Sequence, residues 1–278
     1  MDAAKKRALV TGASSGFGAE IARVLAQRGF NLVIAARRRD RLETLAEQFR
    51  REHHVDVAVF ASDLSTSTGP RQLFDVVRAA GLQIDILVNN AGLGHFGPFL
   101  EQSLEQIEQM IAVDVSATTA LTRLYAQAMV AQGYGRILQV SSFAALQPIP
   151  RYSVYSAAKA YLVALAQGLQ HELRKTGVRI SVVAPGFMKT EFHDVALHER
   201  TFLMKLTNVP VWYTARRAVV GMLRGKLLIT PGPVYQINGV LVRFLPRRLA
   251  SAISALSVGG KQMSPEIAAQ EMAANERK

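Results

Sequence analysis

The sequence predicts an α/β fold, with a doubly wound parallel sheet of about seven strands and helices on both faces. Two features of the chain support this prediction. Short runs rich in Val, Ile and Leu alternate with longer amphipathic stretches, and a glycine-rich turn joins the first run to the first stretch. Strands that alternate with helices indicate parallel pairing through helical crossovers. The 278 residues, 49% of them hydrophobic, are predicted to form a single domain over 1–278.

Seven apolar runs are predicted to be strands, because each is short and carries β-branched residues. In chain order they cover residues 7–10, 31–36, 55–61, 84–88, 136–140, 178–184 and 227–230. In a parallel sheet of this kind, ligands bind beyond the carboxyl ends of the strands. The residues that follow these ends are therefore expected to share one site: the glycine turn, Asp63, Asn90, Ser142 and Gly186.

The turn after the first strand has the glycine spacing G-x-x-x-G-x-G, formed by Gly12, Gly16 and Gly18, and Ile21 and Leu25 continue at helical spacing. This order lets the backbone approach a phosphate closely, and the helix N-terminus then faces the anion. The spacing differs from G-x-G-x-x-G, and many such turns need glycine for geometry alone. Its place between the first strand and a second strand–helix unit favours a Rossmann-like dinucleotide site.

Three consecutive arginines, beginning at Arg37, directly follow the second predicted strand. At this place in dinucleotide-binding folds an acidic residue binds the ribose 2′-hydroxyl, whereas an arginine accommodates a 2′-phosphate. The first carboxylate after the strand is Asp40. We therefore predict that Arg37 contacts a 2′-phosphate and that the cofactor is NADP(H). For Arg38, Arg39 and Arg41 the alternative is a solvated helix start.

Tyr155 and Lys159 form Tyr-x-x-x-Lys, and Ser142 lies 13 residues before the tyrosine. Positions i and i+4 share a helix face, so the Lys159 ammonium is expected beside the phenol. A nearby positive charge favours the phenolate and lowers a tyrosine pKa, which is ordinarily about 10. Tyr155 would then exchange protons near neutrality, and a serine hydroxyl alongside would hold a substrate oxygen. In isolation, the pair also fits a buried tyrosine beside an exposed lysine.

Five motifs follow one another along the chain: TGASSGFG at 11–18, DL at 63–64, NNAG at 89–92, Ser142 with YSAAK at 155–159, and PGFMKT at 185–190. With this order and spacing, residues 5–232 resemble a short-chain dehydrogenase/reductase. The resemblance implies that Ser142 polarises a carbonyl, Tyr155 transfers the proton, and Lys159 tunes Tyr155 and holds the nicotinamide ribose. It implies further cofactor contacts from Gly12, Ser14, Ser15, Gly16, Phe17, Gly18, Asp63, Leu64, Asn90, Ala91, Gly92, Pro185, Gly186, Met188 and Thr190.

One position departs from the family pattern. The resemblance implies an asparagine in the helix after NNAG, where it positions a water in a proton relay beside the lysine. The corresponding residue here is Asp114. Aspartate keeps an acceptor and adds a charge near Lys159, so we expect Asp114 to serve the relay with an altered pH profile. The alternative is a purely structural Asp114.

Apolar side chains near the catalytic end predict the substrate pocket. Residues 190–212 lie where the family carries a mobile lid. Together with the neighbouring loops they predict an apolar wall with few polar anchors, although ordinary core packing is the alternative for several of its members. The predicted substrate contacts are Phe96, Phe143, Ile149, Tyr152, Phe187 and Phe192.

A helical extension is predicted after the seventh strand, over residues 235–278. Leu249, Ile253 and Leu256 form an apolar stripe there at i, i+4 and i+7. We expect the stripe to pack on the body of the protein or on another subunit. A segment that lies on a membrane surface is the alternative.

The net charge of +12 favours an anionic partner: NADP itself, an acidic carrier protein or an anionic lipid surface. No nucleic-acid module accompanies the charge, so nucleic acid is not a predicted partner. The absence of cysteine excludes disulfides and suits a cytoplasmic protein, and the six histidines show no metal-ligand spacing. No apolar stretch has the length of a membrane span, and the early first strand predicts no signal peptide.

These features predict an NADPH-dependent oxidoreductase that interconverts a hydrophobic ketone or aldehyde and its alcohol. The resemblance implies a homo-oligomer, either a dimer or a tetramer. A narrower alternative is a 3-oxoacyl-thioester reductase whose basic surface docks an acidic carrier protein. An alternative of another class is a regulatory protein that binds NADP(H) without catalysis.

Overall fold

The computed structural model describes residues 6–192, 196, 198 and 201–258. Seven strands in these residues form one sheet in the order β3-β2-β1-β4-β5-β6-β7, and all neighbours pair in parallel. This confirms the predicted doubly wound α/β fold. The strands are β1 (Arg7–Thr11), β2 (Asn31–Ala36), β3 (Val57–Ala61), β4 (Ile86–Asn89), β5 (Gly135–Val140), β6 (Val178–Val183) and β7 (Leu228–Ile229).

Strands β3 and β4 begin later than the sequence predicts. Val55 and Ile84 are buried, with 7% and 4% of their surface exposed, but they precede the first residues that pair in the ladder. Their apolar character therefore reflects core packing before the strand begins. Apolar runs mark burial, and burial starts before the hydrogen-bonded ladder does.

Helices alternate with the strands along the chain. They are α1 (Gly16–Ala26), α2 (Arg39–His53), α3 (Gly69–Ala79), α4 (Leu104–Ile111), α5 (Thr118–Ala131), α6 (Ser153–Glu172), α7 (Phe202–Leu206), α8 (Val211–Leu223), α9 (Pro233–Leu241) and α10 (Arg247–Val258). A π-helix at Ala112–Ala117 joins α4 to α5. Short 3-10 helices lie at Phe99–Glu101, Phe143–Ala145 and Val242–Phe244.

Two hydrophobic layers cover the two faces of the sheet. On one face α1, α2 and α8 pack through residues such as Ile21, Leu42 and Val219. On the other face α3, α5 and α6 pack through residues such as Leu73, Leu121 and Ala166. Each fully buried leucine or isoleucine contributes about 1.5–3 kcal/mol through its burial. Helices therefore cover both faces of the sheet, and the carboxyl ends of the strands are left accessible to a ligand.

The strand order reverses direction between β1 and β4, where a crevice opens beyond the strand ends. The Thr11 hydroxyl accepts hydrogen bonds from the backbone N–H groups of Asn90 and Ala91, at 3.0 and 3.1 Å. The Asn90 side-chain amide donates to the carbonyl oxygens of Thr11 and Gly12. These bonds hold the glycine turn and the NNAG motif together at the reversal point.

The C-terminal stripe is only partly covered by the described part of the protein. Helix α10 buries Ala250 and Ser254, whereas Leu249 and Ile253 are 48% and 43% exposed. Gln147 fixes this orientation, because its side-chain amide donates to the Ser254 hydroxyl. Leu249 and Ile253 are thus only partly covered by the described residues, and packing of the stripe on another subunit stays a prediction. The Leu256 side chain and residues 259–278 lie outside the described part. No helix among the described residues has the length and apolar character to cross a bilayer.

Candidate active site

A cavity of about 560 Å³ lies at the carboxyl ends of the strands. Every residue predicted to contact the cofactor lines it, from Gly12 in the glycine turn to Thr190 after β6. Ser142 also lines it, and so do five of the six predicted substrate contacts. The parallel topology thus gathers segments from the whole length of the chain in one cavity.

The glycine turn has a backbone that only glycine fits easily. Gly12 and Gly16 have φ values of +64° and +57°, in the left-handed region that disfavours other residues. A Cβ on Gly12 would lie 2.8 Å from the Cα of Ala91, and a Cβ on Gly18 would collide with the Asn90 side chain and the Gly12 carbonyl. The turn therefore packs directly on the NNAG segment and leaves the N-terminus of α1 open to the cavity. This backbone cradle fits the pyrophosphate of a dinucleotide.

Replacing Gly18 with alanine is expected to lower the free energy of unfolding by about 1–3 kcal/mol, because the new methyl group overlaps backbone and side-chain atoms. Dinucleotide affinity is expected to fall with it. Gly168→Ala is the matched control, since Gly168 lies exposed in α6 with nothing within 4 Å of its added Cβ. That variant should be unchanged or up to about 1 kcal/mol more stable. Chemical denaturation of the three proteins tests both statements, and an unchanged Gly18→Ala protein would contradict the first.

Two of the arginines after β2, Arg37 and Arg38, line the cavity. Arg37 is exposed. Arg38 donates hydrogen bonds to the hydroxyls of Ser14 and Ser15, at 3.2 and 2.9 Å, and pairs with Glu191 at 3.3 Å. The alternative that Arg38 is merely solvated is therefore wrong. Its guanidinium ties the glycine turn to the segment after β6.

Asp63 also lines the cavity. Its Oδ1 accepts hydrogen bonds from the backbone N–H and the hydroxyl of Ser65, at 2.9 and 2.8 Å. These two bonds, followed in effect by the charge of Arg37, lower the pKa of Asp63. The carboxylate thus shapes the loop after β3, as a loop-opening aspartate commonly does.

Tyr155 and Lys159 lie on one face of α6, as the i, i+4 spacing predicts. The Lys159 ammonium is 5.6 Å from the centre of the Tyr155 ring, and both residues line the cavity with Ser142. Ser142 occupies the N-cap of the 3-10 helix after β5, where its hydroxyl accepts the Ala144 N–H at 3.1 Å. The ends of β5 and the start of α6 therefore bring the three predicted side chains together.

Burial raises the pKa of Tyr155, while the Lys159 charge and a hydrogen bond with Ser142 lower it and the Asp114 charge raises it. The net shift is upward because burial outweighs the Lys159 charge, which itself acts in the predicted direction. Burial alone would lower the pKa of Lys159, but the charges of Asp114 and Tyr155 outweigh it and raise the pKa. Lys159 is therefore held as an ammonium.

Asp114 lies in the π-helix and is fully buried. Its Oδ1 accepts a hydrogen bond from the Lys159 ammonium at 2.5 Å, and its Oδ2 accepts the Leu93 N–H at 3.0 Å. Burial raises the pKa of Asp114, and the contacts with Lys159 and Leu93 oppose that rise. A Cβ on Gly92 would lie 2.6 Å from Asp114 Oδ1 and 3.0 Å from Lys159 Nζ. Asp114 thus sits behind Gly92 as the direct partner of Lys159, outside the cavity wall.

An apolar cluster forms the side of the cavity next to Tyr155. Its rings include Tyr152 at 5.5 Å and Phe192 at 5.3 Å from the Tyr155 ring, between ring centres. The predicted contacts that line the cavity are Phe143, Ile149, Tyr152, Phe187 and Phe192. Phe96 does not line it, because it is 1% exposed and packs between Tyr152 and His198. For Phe96 the alternative of core packing is correct.

Tyr235 is a cavity residue that the sequence does not identify. Its ring lies 5.2 Å from that of Phe143 and against Gly186, where a Cβ would collide with it. Its hydroxyl accepts the Phe187 N–H at 3.0 Å and donates to the Thr207 carbonyl at 3.1 Å. Tyr235 lies beyond the recognised motifs, so no spacing signal connects it to the site. Arg38, by contrast, belongs to the run of arginines after β2, and that run is a visible signal in the sequence.

Known proteins are similar to this chain in sequence. An uncharacterized oxidoreductase of Staphylococcus saprophyticus is 35% identical over 185 residues, covering 66% of this chain and 79% of that protein. A very-long-chain 3-oxoacyl-CoA reductase of Scheffersomyces stipitis is 35% identical over 189 residues, covering 64% of this chain and 54% of that protein. The chain thus spans about half the length of that reductase.

The fold is also shared with solved structures. A short-chain dehydrogenase from Sphingobium yanoikuyae, in complex with NADPH, is 31% identical with a TM-score of 0.76, covering 87% of this chain and 96% of that one. The profile of the short chain dehydrogenase family matches residues 6–200, from the first strand through the PGFMKT motif. The chain therefore belongs to the short-chain dehydrogenase/reductase family of oxidoreductases.

Proposed function

We propose that this protein is an NADP(H)-dependent oxidoreductase that interconverts a hydrophobic ketone or aldehyde and its alcohol. One observation carries the proposal: Ser142, Tyr155 and Lys159 converge on a cavity that has the glycine cradle on one side and an apolar wall on the other. A regulatory protein that only binds a dinucleotide would need the cradle, but it would not need this convergence of proton-transfer groups.

The chain's own residues define the role of the cofactor. The cradle at Gly12, Gly16 and Gly18 would hold the pyrophosphate, and Arg37 would face a 2′-phosphate. When bound, NADPH supplies a hydride to the carbonyl carbon. The NADPH complex of the Sphingobium yanoikuyae relative supports this choice of cofactor.

Three side chains would handle the substrate oxygen. The Ser142 hydroxyl donates a hydrogen bond to the carbonyl, and the Tyr155 phenol transfers its proton to the oxygen as negative charge develops there. The Lys159 ammonium stabilises the resulting phenolate. In the direction of alcohol oxidation, the same phenolate removes the hydroxyl proton.

Asp114 would act as a positioning residue for Lys159. In the buried pair the carboxylate holds the ammonium in place, and the Val140 carbonyl accepts a second hydrogen bond from it at 3.2 Å. A π-helix is a local deviation often found at functional sites, and here it carries Asp114 to the pair. The direct ion pair would thus fix the position and the charge of Lys159 beside Tyr155.

The apolar wall supports a hydrophobic substrate. Phe143, Phe187 and Phe192 face the same space as the Tyr155 phenol, with few charged groups beside them. A 3-oxoacyl thioester is the narrower candidate, and the similarity to a very-long-chain 3-oxoacyl-CoA reductase favours it. Its acyl chain would occupy the apolar wall while its keto group meets Ser142 and Tyr155.

NADPH oxidation with a panel of carbonyl compounds tests the proposal. The panel should contain aromatic ketones, aliphatic aldehydes and 3-oxoacyl thioesters of increasing chain length, with short polar ketones as the comparison. We expect kcat/KM to rise with apolar surface in every reactive series. Absence of NADPH-dependent turnover across the panel, in a protein that binds NADPH, would favour the regulatory alternative instead.

Cofactor preference is expected to depend on Arg37. NADPH should bind more tightly than NADH. Arg37→Ala should reduce this difference in affinity, since a charge-assisted contact to phosphate contributes about 1.5–3 kcal/mol. Arg39→Ala is the matched control, because Arg39 is 69% exposed and pairs with Glu43. Fluorescence titration of the three proteins with both cofactors gives three NADPH-to-NADH affinity ratios. Equal affinity of the unmodified protein for NADPH and NADH would refute the assignment.

A further inference from the structure

Helix α9 carries an apolar face that the rest of the described chain leaves open. Val234, Ile237 and Leu241 recur at i, i+3 and i+7 and are 48%, 61% and 54% exposed. Val240 lies beside them, and Phe244 in the following 3-10 helix is 82% exposed. At 3.6 residues per turn these side chains occupy one side of the helix. This arrangement is an amphipathic pattern with its apolar side outward.

The opposite side of α9 is firmly attached to the protein. Tyr235 is 5% exposed, and its hydroxyl makes the hydrogen bonds with Phe187 and Thr207 already described. A Cβ on Gly239 would lie 3.4 Å from the Leu146 side chain, so the helix backbone packs closely there. The outward apolar face therefore belongs to a helix with a defined orientation.

Neighbouring elements extend this apolar face. In α7, Phe202 and Leu206 lie at i and i+4 and are 80% and 69% exposed. Trp212, at the start of α8, is 58% exposed. Leu206, Trp212 and Val234 line one groove of about 340 Å³, which joins the three helices into a continuous surface. We call six of these side chains the C-terminal apolar face: Leu206, Trp212, Val234, Ile237, Val240 and Phe244.

The segment that carries this face has basic side chains and no acidic ones. Residues 201–258 contain eight Lys and Arg and no Asp or Glu. Lys205 lies beside Leu206 in α7, Arg243 lies in the 3-10 helix and Arg248 in the first turn of α10, and all three are exposed. An exposed apolar surface rimmed by cations is the pattern of a protein that lies on an anionic membrane surface.

We propose that the C-terminal apolar face docks this protein on the surface of an anionic lipid bilayer. The apolar side chains would enter the interfacial region, and Lys205, Arg243 and Arg248 would meet lipid phosphates. A symmetric contact between two copies would instead bring the same basic side chains together, which charge repulsion disfavours. An acidic protein would satisfy the arginines, but it would not account for six large apolar side chains on the same surface.

The location of the face gives docking a consequence for the enzyme. Tyr235 lines both the groove and the large cavity, so its side chain is the partition between them. A hydrophobic substrate dissolved in the bilayer would then reach the cavity beside the docked surface. This consequence rests on the proposed function, whereas the docking itself does not.

Co-sedimentation with vesicles tests the docking. Purified full-length protein is mixed with vesicles of phosphatidylcholine alone or of phosphatidylcholine with phosphatidylglycerol. We expect at least about tenfold tighter binding to the anionic vesicles, weakening as salt is raised. Absence of binding to anionic vesicles at low salt would overturn the proposal, whatever the outcome of the activity assays.

Trp212 provides a direct readout of contact, because it is the only tryptophan in the chain. On anionic vesicles its emission is expected to shift to shorter wavelength, and lipids brominated near the headgroup end of the acyl chain should quench it. Vesicle binding without a shift or quenching would place the contact elsewhere on the molecule and would overturn the assignment to this face.

Paired variants separate the two parts of the proposed contact. Ile237→Ser with Phe244→Ser should weaken anionic-vesicle binding about tenfold and reduce the Trp212 shift. Arg243→Gln with Arg248→Gln should weaken it about tenfold and remove most of the salt dependence. The matched controls are Leu100→Ser, at a leucine that is 92% exposed, and Arg123→Gln with Lys175→Gln, at exposed cations outside the segment. Both controls should bind like the unmodified protein.

The remaining outcomes identify other occupants of the face. Unchanged vesicle binding in both paired variants would overturn the proposal. Conversion of an oligomer to a smaller species by Ile237→Ser with Phe244→Ser, with vesicle binding retained, would assign the face to a second copy. If only the arginine variant weakens vesicle binding, the contact depends on charge alone, as it would with an acidic protein partner. That result would overturn the insertion of the apolar side chains.

Discussion

Tyr155→Phe is expected to abolish measurable turnover and to leave NADPH binding nearly unchanged. The substitution removes the phenolic oxygen but keeps the ring that packs against Tyr152 and Phe192. General acid catalysis alone contributes about 10²–10⁴-fold to a rate, and here no other described side chain is placed to replace the phenol between Ser142 and Lys159. Steady-state kinetics in both directions and a fluorescence titration with NADPH measure the two effects.

Tyr152→Phe is the control for this prediction. Tyr152 belongs to the same apolar wall, but its hydroxyl meets His198 Nδ1 at 3.2 Å and burial raises its pKa well above the usual value. Loss of that hydroxyl should change turnover only a few-fold, through the shape of the pocket. The mechanism fails if Tyr155→Phe retains turnover similar to that of Tyr152→Phe.

Asp114→Asn is expected to move the pH dependence of catalysis downward. The Asp114 charge raises the pKa of Tyr155, so its removal should lower that pKa. Alcohol oxidation needs the phenolate, so its rising limb should appear at lower pH than in the unmodified enzyme. Carbonyl reduction needs the phenol, so its decline at alkaline pH should begin earlier. Rate profiles against pH for one alcohol–ketone pair measure both limbs.

The same substitution should also reduce stability. Removing one partner of a buried ion pair costs about 3–5 kcal/mol, although the amide oxygen of Asn can still accept a hydrogen bond from Lys159. The raised pKa of Lys159 means that the pair stabilises the fold at neutral pH and that this contribution is lost as pH rises through the folded-state pKa. The difference in unfolding free energy between Asp114→Asn and the unmodified protein should therefore shrink at strongly alkaline pH.

Asp85→Asn separates the effect on catalysis from a general loss of a buried carboxylate. Asp85 is 8% exposed, accepts the Arg7 N–H at 2.9 Å and lies near the Lys6 ammonium, at the start of β4. That end of the strand is opposite to the cavity. Asp85→Asn should therefore affect stability without moving the pH–rate profile. Superimposable profiles for Asp114→Asn and the unmodified enzyme would leave Asp114 with a structural role only.

The seven parallel strands and the identity of most cavity residues could be predicted from the sequence. Each strand ends in residues whose chemistry differs from that of the apolar run before it, as at Gly12, Asn90 and Ser142. In a parallel doubly wound sheet these ends meet at one edge by topology alone. The i, i+4 spacing likewise places Lys159 on the same helix face as Tyr155, because helix geometry is regular.

Side-chain partnerships between distant segments were decided only by the tertiary structure. The Asp114–Lys159 pair joins residues 45 positions apart, and it requires both the π-helix and the space that Gly92 leaves. Arg38 meets Glu191 across 153 positions, and the Tyr235 hydroxyl meets Phe187 across 48. Such contacts depend on how complete helices pack and rotate against one another, and no periodicity within a single segment encodes that arrangement.

The two apolar stripes of the C-terminal segment, on α9 and α10, also separate what the sequence predicts from what tertiary packing decides. Periodicity identifies helices in that region, because apolar residues recur at helical spacing whether the stripe faces the core or the surroundings. The direction of the stripe depends on the opposite face, where Tyr235 in α9 and Ser254 in α10 make hydrogen bonds with the body of the protein. These anchors turn Ile237 and Leu249 outward. The sequence by itself therefore determined the sheet, the glycine cradle and the Ser–Tyr–Lys group, and only tertiary packing decided which apolar side chains remain for a partner.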